Sequence, residues 1–245
     1  MPIKDIIEIN KEWEDFFQEM FDDPNDFYSF WHYKPFSDDY WNERTKIVFC
    51  NVEAHGNSGG NCYLTLDIFK SWLGNITSKR TVLFLYCLYK QLHNISVNEK
   101  QLRELFYKND ELLNGIRNTT YMNLRKEVKY KDGPNEDTDG ILRSLVHGMK
   151  YSEKDEDDSN NHDNRKLTLA FIDALEPDIF IITGRTGLLV LKDIYSDIID
   201  LNGLSENGMY KTKKTLYVHL EHPSRAFSYD YIIKNTRAIY DELQK

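Results

Sequence analysis

Apolar side chains near the start of the chain recur at helical spacing. Ile6, Ile7, Ile9, Trp13, Phe16, Phe17 and Met20 predict an amphipathic helix over residues 3–20, which Asp22, Asp23 and Pro24 bring to a stop. An aromatic-rich connector follows, with Phe27, Tyr28, Phe30, Trp31, Tyr33, Phe36, Tyr40 and Trp41, and reads as a cap packed across a sheet edge. The pattern then changes. Residues 46–52 are apolar and β-branched without polar alternation, as a strand buried on both faces should be.

Turn chemistry at residues 57–61 precedes a short helix predicted over 63–73, and helical spacing recurs over 81–93 and 97–106. Asn114-Gly115 signals a turn before a second strand at 119–124. A helix over 168–175, a strand over 178–183, a helix over 184–195, a strand over 215–220 and an amphipathic helix over 229–243 complete the chain. This alternation predicts a three-layer α/β/α fold around a central, mainly parallel four-stranded sheet. One domain over residues 1–245 is expected, with a helical and aromatic cap over 1–45 and a mobile acidic insert near 151–166.

Composition narrows the function classes. A net charge of -9 argues against nonspecific coating of nucleic acid, because neutralising phosphates needs clustered Lys and Arg. Screening over about 8 Å at physiological salt still permits a local basic patch, and Lys211, Lys213, Lys214 and Arg225 bracket the last strand. Those lysines equally suit a solvated strand edge. The three cysteines, Cys50, Cys62 and Cys87, show no metal or redox spacing, and no apolar run is long enough for a membrane span. A cytoplasmic location, no membrane association and a monomer are the expectations.

Two predicted strands run directly into reactive clusters. Residues 47–52 lead to Glu53-Ala54-His55-Gly56, and residues 216–220 lead to Glu221-His222-Pro223-Ser224-Arg225. Loops at the carboxyl ends of parallel strands converge on one crevice. Glu53 suits either water positioning or capping of the next element, while His55 and Gly56 offer a hydrogen-bonding group and close backbone approach. Pro223 biases His222 towards extended backbone, and Ser224 and Arg225 suit phosphate. His219 and Glu221 alternate away from His222, so the three together make an awkward metal site. Asn123 ends another strand, where its amide either reads a nucleobase edge or satisfies turn backbone.

Taken in order, Val52-Glu53-Ala54-His55-Gly56, Met122-Asn123-Leu124, residues 181–186 (Ile-Ile-Thr-Gly-Arg-Thr) and His222-Pro223-Ser224 resemble the motifs of the uracil-DNA glycosylase superfamily. The likeness covers residues 46–245. The first motif is similar to Gly-Glu-Ala-Pro-Gly of the branch that carries an iron-sulfur cluster, with Val52 and His55 replacing the glycine and the proline. Three cysteines are too few for that branch's four-thiolate cluster, so no cofactor or metal is expected. Gly56 stands where the strictest uracil enzymes carry a tyrosine, which opens the C5 side of the base.

The resemblance implies a monofunctional DNA glycosylase that flips a pyrimidine out of DNA and hydrolyses its N-glycosidic bond to leave an abasic site. It implies Glu53 and His222 as catalytic residues and Asn123, Tyr63, His55 and Gly56 around the base. Ser224 and Arg225 would lie on the DNA. Uracil and a C5-modified pyrimidine, including one in foreign DNA, both remain substrates under this reading. The alternatives are a non-catalytic nucleic-acid or protein-binding module on the same fold, and a metal-dependent hydrolase using Glu53, His55 and His222.

Overall fold

The computed structural model describes residues 2–20, 31–51, 54–55, 62–123, 128–129, 165–184, 187–188 and 208–245. Its central sheet has five strands: β1 Ile47–Asn51, β2 Thr120–Asn123, β3 Ile179–Thr183, β4 Met209–Lys211 and β5 Leu216–Leu220. They lie in the order β2-β1-β3-β5-β4. All neighbours pair in parallel except β4, which joins β5 antiparallel. The expected sheet of four strands is therefore corrected to five.

The added strand comes from a tight hairpin. Thr212 donates its backbone N–H to the Thr215 carbonyl at 2.9 Å, and its hydroxyl oxygen accepts from the N–H groups of Lys214 and Thr215 at 3.2 and 2.9 Å. This side-chain turn folds Met209–Lys211 back along β5. At Gly208, φ is +68°, and an added Cβ would stand 2.9 Å from the His219 carbonyl oxygen, so glycine suits the start of the hairpin. The strand is short and only half covered, which is why it shows no apolar run.

Among the described residues eight α-helices accompany the sheet: α1 Pro2–Met20, α2 Leu66–Ser71, α3 Ile76–Leu92, α4 Glu99–Leu105, α5 Asn109–Ile116, α6 Arg165–Leu175, α7 Pro223–Ala226 and α8 Tyr229–Leu243. Several begin at side-chain caps. Asn75 accepts from Thr77 N–H at 2.8 Å, Ser228 from Tyr231 N–H at 3.2 Å, and Asn98 and Gln101 form a reciprocal capping box. Helix α3 is buried over most of its length and lies on the sheet face that carries Phe49, whose ring is 6.2 Å from that of Phe84. Helix α8 lies along α3, α1 packs against α6, and the whole is a three-layer α/β/α arrangement.

Two local expectations change. Asn114-Gly115 is not a turn but the last part of α5. A Cβ on Gly115 would come within 2.2 Å of the Tyr86 ring on α3, so the glycine marks a close helix–helix approach. Tyr63 does not open a helix. It pairs in a two-residue parallel bridge, Cys62–Tyr63 with Trp31–His32, and α2 starts three residues later behind the Thr65 cap.

From Tyr33 to Phe36 the aromatic connector runs beside the edge strand β2. Tyr33 meets Asn123 at one end of that strand, and Phe36 donates its N–H to the Thr119 carbonyl at the other, 3.3 Å away. Tyr40 continues to the end of α6, where its hydroxyl donates to the Leu175 carbonyl at 2.8 Å. The connector thus lies along a strand edge that would otherwise offer unpaired backbone groups. The expected insert over 151–166 lies outside the described residues apart from Arg165 and Lys166, which start α6. Most of the expected helix over 184–195 also lies outside them.

Candidate functional site

Three neighbouring parallel strands each end in a polar residue on the same face. Asn51, Asn123 and Thr183 follow Phe49, Tyr121 and Ile181 by two positions, so their side chains point to the α3 side at the carboxyl edge of the sheet. They form a directed chain of hydrogen bonds. The Thr183 hydroxyl donates to Asn51 Oδ1, and Asn51 Nδ2 donates to the Tyr121 hydroxyl at 2.7 Å. Tyr121 donates onward to Asn123 Oδ1 at 3.4 Å, and Asn123 Nδ2 donates to the Tyr33 hydroxyl at 2.8 Å.

All five side chains are buried, Asn123 to 1% exposure and Tyr33 completely. In such surroundings an unmade hydrogen bond is costly, so the chain fixes which way each amide points. Burial pushes the hydroxyls of Tyr33 and Tyr121 well above their usual pKa, and the bonds from Asn123 and Asn51 offset this only in part. Both tyrosines are therefore neutral, which keeps the Tyr121 proton available to Asn123. Helix α1 braces the far end, since Asn10 Nδ2 donates to the Tyr33 carbonyl at 3.0 Å.

His222 stands just beyond β5 and caps the one-turn helix α7. Its Nδ1 accepts the Ser224 N–H at 3.3 Å and lies 2.7 Å from the Ser224 hydroxyl. A nitrogen that accepts a backbone N–H carries no proton of its own, so the neutral ring bears its hydrogen on Nε2. Pro223 occupies the first helical position, where a missing N–H costs nothing. The side chains of Ser224 and Arg225 are exposed.

Gly184, directly after β3, links the two groups. Its φ is +77°, its carbonyl accepts from His219 Nε2 at 3.0 Å, and a Cβ added to it would touch the Cβ and Cδ2 of His222 at 3.8 Å. The carboxyl edge therefore carries Asn123, Asn51 and Thr183 in a row, with His222 packed beside the residue that follows Thr183. Asn123 and His222 belong to strands separated by three spacings of about 4.8 Å.

Tyr63 lies on the Asn123 side, because its bridge partner His32 immediately precedes Tyr33. Its half-buried ring has Lys34 Nζ 5.1 Å from the centroid. Of the first motif, the backbone of Ala54–His55 is described, and it pairs in parallel with Val128–Lys129 in a separate two-stranded bridge. Glu53 and Gly56, like Arg185 and Thr186, lie outside the described residues, and of His55 only the backbone is described.

Asn51, Tyr33 and Arg80 were not singled out by sequence reasoning. A signal for Asn51 exists: it is the one polar amide inside the otherwise apolar run over 47–52, next to its end at Val52. Tyr33 is one aromatic among many, and Arg80 sits in an ordinary helical pattern, yet its Nη1 donates to the carbonyls of Pro223 and Ser224 at 3.3 and 2.9 Å. Among the described residues no group of three His, Cys, Asp or Glu side chains is placed to hold a metal ion, and no helix is long and apolar enough to cross a membrane. No family model and no curated protein matches the chain.

Proposed function

We propose that this chain is a monofunctional DNA glycosylase acting on a flipped-out pyrimidine. The observation that carries the reading is the strand order, which puts the motif-bearing ends of β2, β1, β3 and β5 along one edge, with Asn123 towards one end and His222 towards the other. A base held between them would meet an amide of fixed orientation on one side and an Nε2–H donor on the other.

In the reaction the bond between the sugar C1′ and the base N1 breaks, and its electron pair leaves with the base. His222 donates a hydrogen bond from Nε2 to the base O2, where negative charge grows; one such preorganised donor is worth about 2.7 to 4 kcal/mol. Glu53, by the motif, positions the water and stabilises the oxocarbenium-like sugar; the water oxygen bonds to C1′, and the proton that the water loses balances the negative charge carried off by the base. Asn123 reads the base, Tyr63 stacks on it, and His55 and Gly56 line the same side. Ser224 and Arg225 meet the DNA backbone.

The test is abasic-site formation on duplex and single-stranded DNA carrying uracil, a thymine mismatch or a hypermodified cytosine. His222→Ala should lower turnover on the accepted base by about 100- to 1,000-fold. Absence of product from every substrate overturns the reading.

A second reading, a non-catalytic nucleic-acid or protein-binding module, is favoured by one feature: the Asn123 amide already has tyrosine partners at both ends and is almost fully buried. DNA or protein binding that survives Glu53→Ala and His222→Ala, with no product formed, would select it.

A further inference from the structure

We propose that Arg80, near the start of α3, is a positioning residue that holds the ring of His222 in its donor orientation. The chemical part rests on the glycosylase reading; the geometric part does not. Helix α7 is a single turn, and the N–H groups of Arg225 and Ala226 both return to the His222 carbonyl, at 3.0 and 3.2 Å. The next two carbonyls, those of Pro223 and Ser224, are the orphan acceptors of a helix too short to satisfy them. Arg80 Nη1 donates to both, from 143 and 144 residues earlier in the chain.

Ser224 makes the connection specific. Its carbonyl is held by Arg80, while its N–H and hydroxyl engage Nδ1 of His222. Displacing Ser224 would take both of its donors away from Nδ1 and so weaken the preference for the Nε2–H tautomer. On the other side, Glu221 donates its N–H to the Tyr231 hydroxyl of α8 at 3.1 Å. The segment from Glu221 to Ser224 is thus clamped between α3 and α8. Among the described residues no carboxylate pairs with Arg80, so its guanidinium is committed to these two carbonyls rather than to a salt bridge.

A positioning role and a phosphate contact predict different kinetics. Arg80→Ala should lower kcat about 10- to 100-fold, the scale of a small misplacement of a reacting group, with KM and the salt dependence of binding little changed. Added to His222→Ala, it should cause no further loss. Arg80→Lys should recover part of the rate through one donated bond, and it serves as the folded variant if the alanine form melts. The second readout needs no DNA: nitrogen-15 NMR of labelled histidine should show His222 as a single Nε2–H tautomer in the parent and as a mixture in the Arg80 variants. A raised KM with a shallower salt slope and unchanged kcat would overturn the proposal in favour of phosphate binding. An equal loss in the His222→Ala background would also overturn it. If the parent releases no base from any DNA, the glycosylase reading fails while the tautomer measurement still decides the role of Arg80: an unchanged tautomer rejects it.

Discussion

The side-chain amide of Asn123 donates to the hydroxyl of Tyr33, 2.8 Å away and ninety positions earlier in the chain. This bond joins the aromatic connector to the carboxyl end of the edge strand. It also ends a hydrogen-bond chain that starts at Thr183, two strands further in. The residue assigned to base reading is therefore held by a segment that the motif resemblance did not single out.

Tyr33→Phe keeps the ring and removes the acceptor, leaving a buried N–H of Asn123 without that partner. The expected cost is about 1 to 3 kcal/mol, which for a chain of this size lowers the melting temperature by roughly 2 to 12 °C. Urea unfolding of parent and variant measures it. Equal midpoints and slopes would show that the bond contributes nothing to stability.

The same tyrosines give the fold an alkaline limit. Burial raises the folded-state pKa of both Tyr33 and Tyr121 above their unfolded value near 10, so the folded chain holds these protons more tightly than the unfolded chain. Their contribution is complete below about pH 10 and is lost as pH rises from there towards the folded values, at about 1.4 kcal/mol per pH unit for each hydroxyl. Unfolding free energies at pH 8, 10 and 11 should fall along this course. In Tyr33→Phe the decline above pH 10 should be shallower; an identical slope would remove Tyr33 as a contributor.

Largely apolar runs made β1, β3 and β5 legible, since a strand buried on both faces needs no alternation. Helix α8 matched its apolar spacing from Tyr229 to Leu243. What failed lay in one element too short to show a pattern and in contacts between elements. Met209–Lys211 becomes a strand only because Thr212 turns it against β5. Asn114-Gly115 has turn chemistry but lies in α5, where the absence of a side chain admits Tyr86. At the candidate site, Asn123 and His222 could be picked from motif order, whereas Tyr33 and Arg80 act through contacts spanning ninety or more positions, which no local pattern encodes.

Gly115→Ala sets two effects against each other. Alanine improves helix propensity by up to about 1 kcal/mol, but its methyl would meet Cδ2 and Cε2 of Tyr86 at 2.2 and 2.6 Å. Tyr86 is almost fully buried, so the ring cannot simply swing into solvent, and overpacking of this kind costs about 1 to 3 kcal/mol. A net loss of stability is expected in the parent background. In Tyr86→Ala, where the ring is gone, Gly115→Ala should be neutral or stabilising. Destabilisation of the same size in both backgrounds would place the strain elsewhere than the α3–α5 contact.

Gly184→Ala separates backbone strain from crowding. The new methyl would meet His222 only at ordinary contact distance, 3.8 Å, so space is available. The φ of +77° is the difficulty, since an L-residue in the left-handed region costs about 1 to 2 kcal/mol. Relief of that strain would shift the Gly184 carbonyl away from His219 Nε2 and alter the surface against which His222 packs. Gly184→Ala should therefore lose about that much stability, and under the glycosylase reading it should also lower kcat. Gly184→Asn is the control, because asparagine adopts positive φ more readily than alanine while occupying more volume. If Asn is better tolerated than Ala in urea unfolding, conformation is the limiting factor; if Asn is worse, crowding against His222 is.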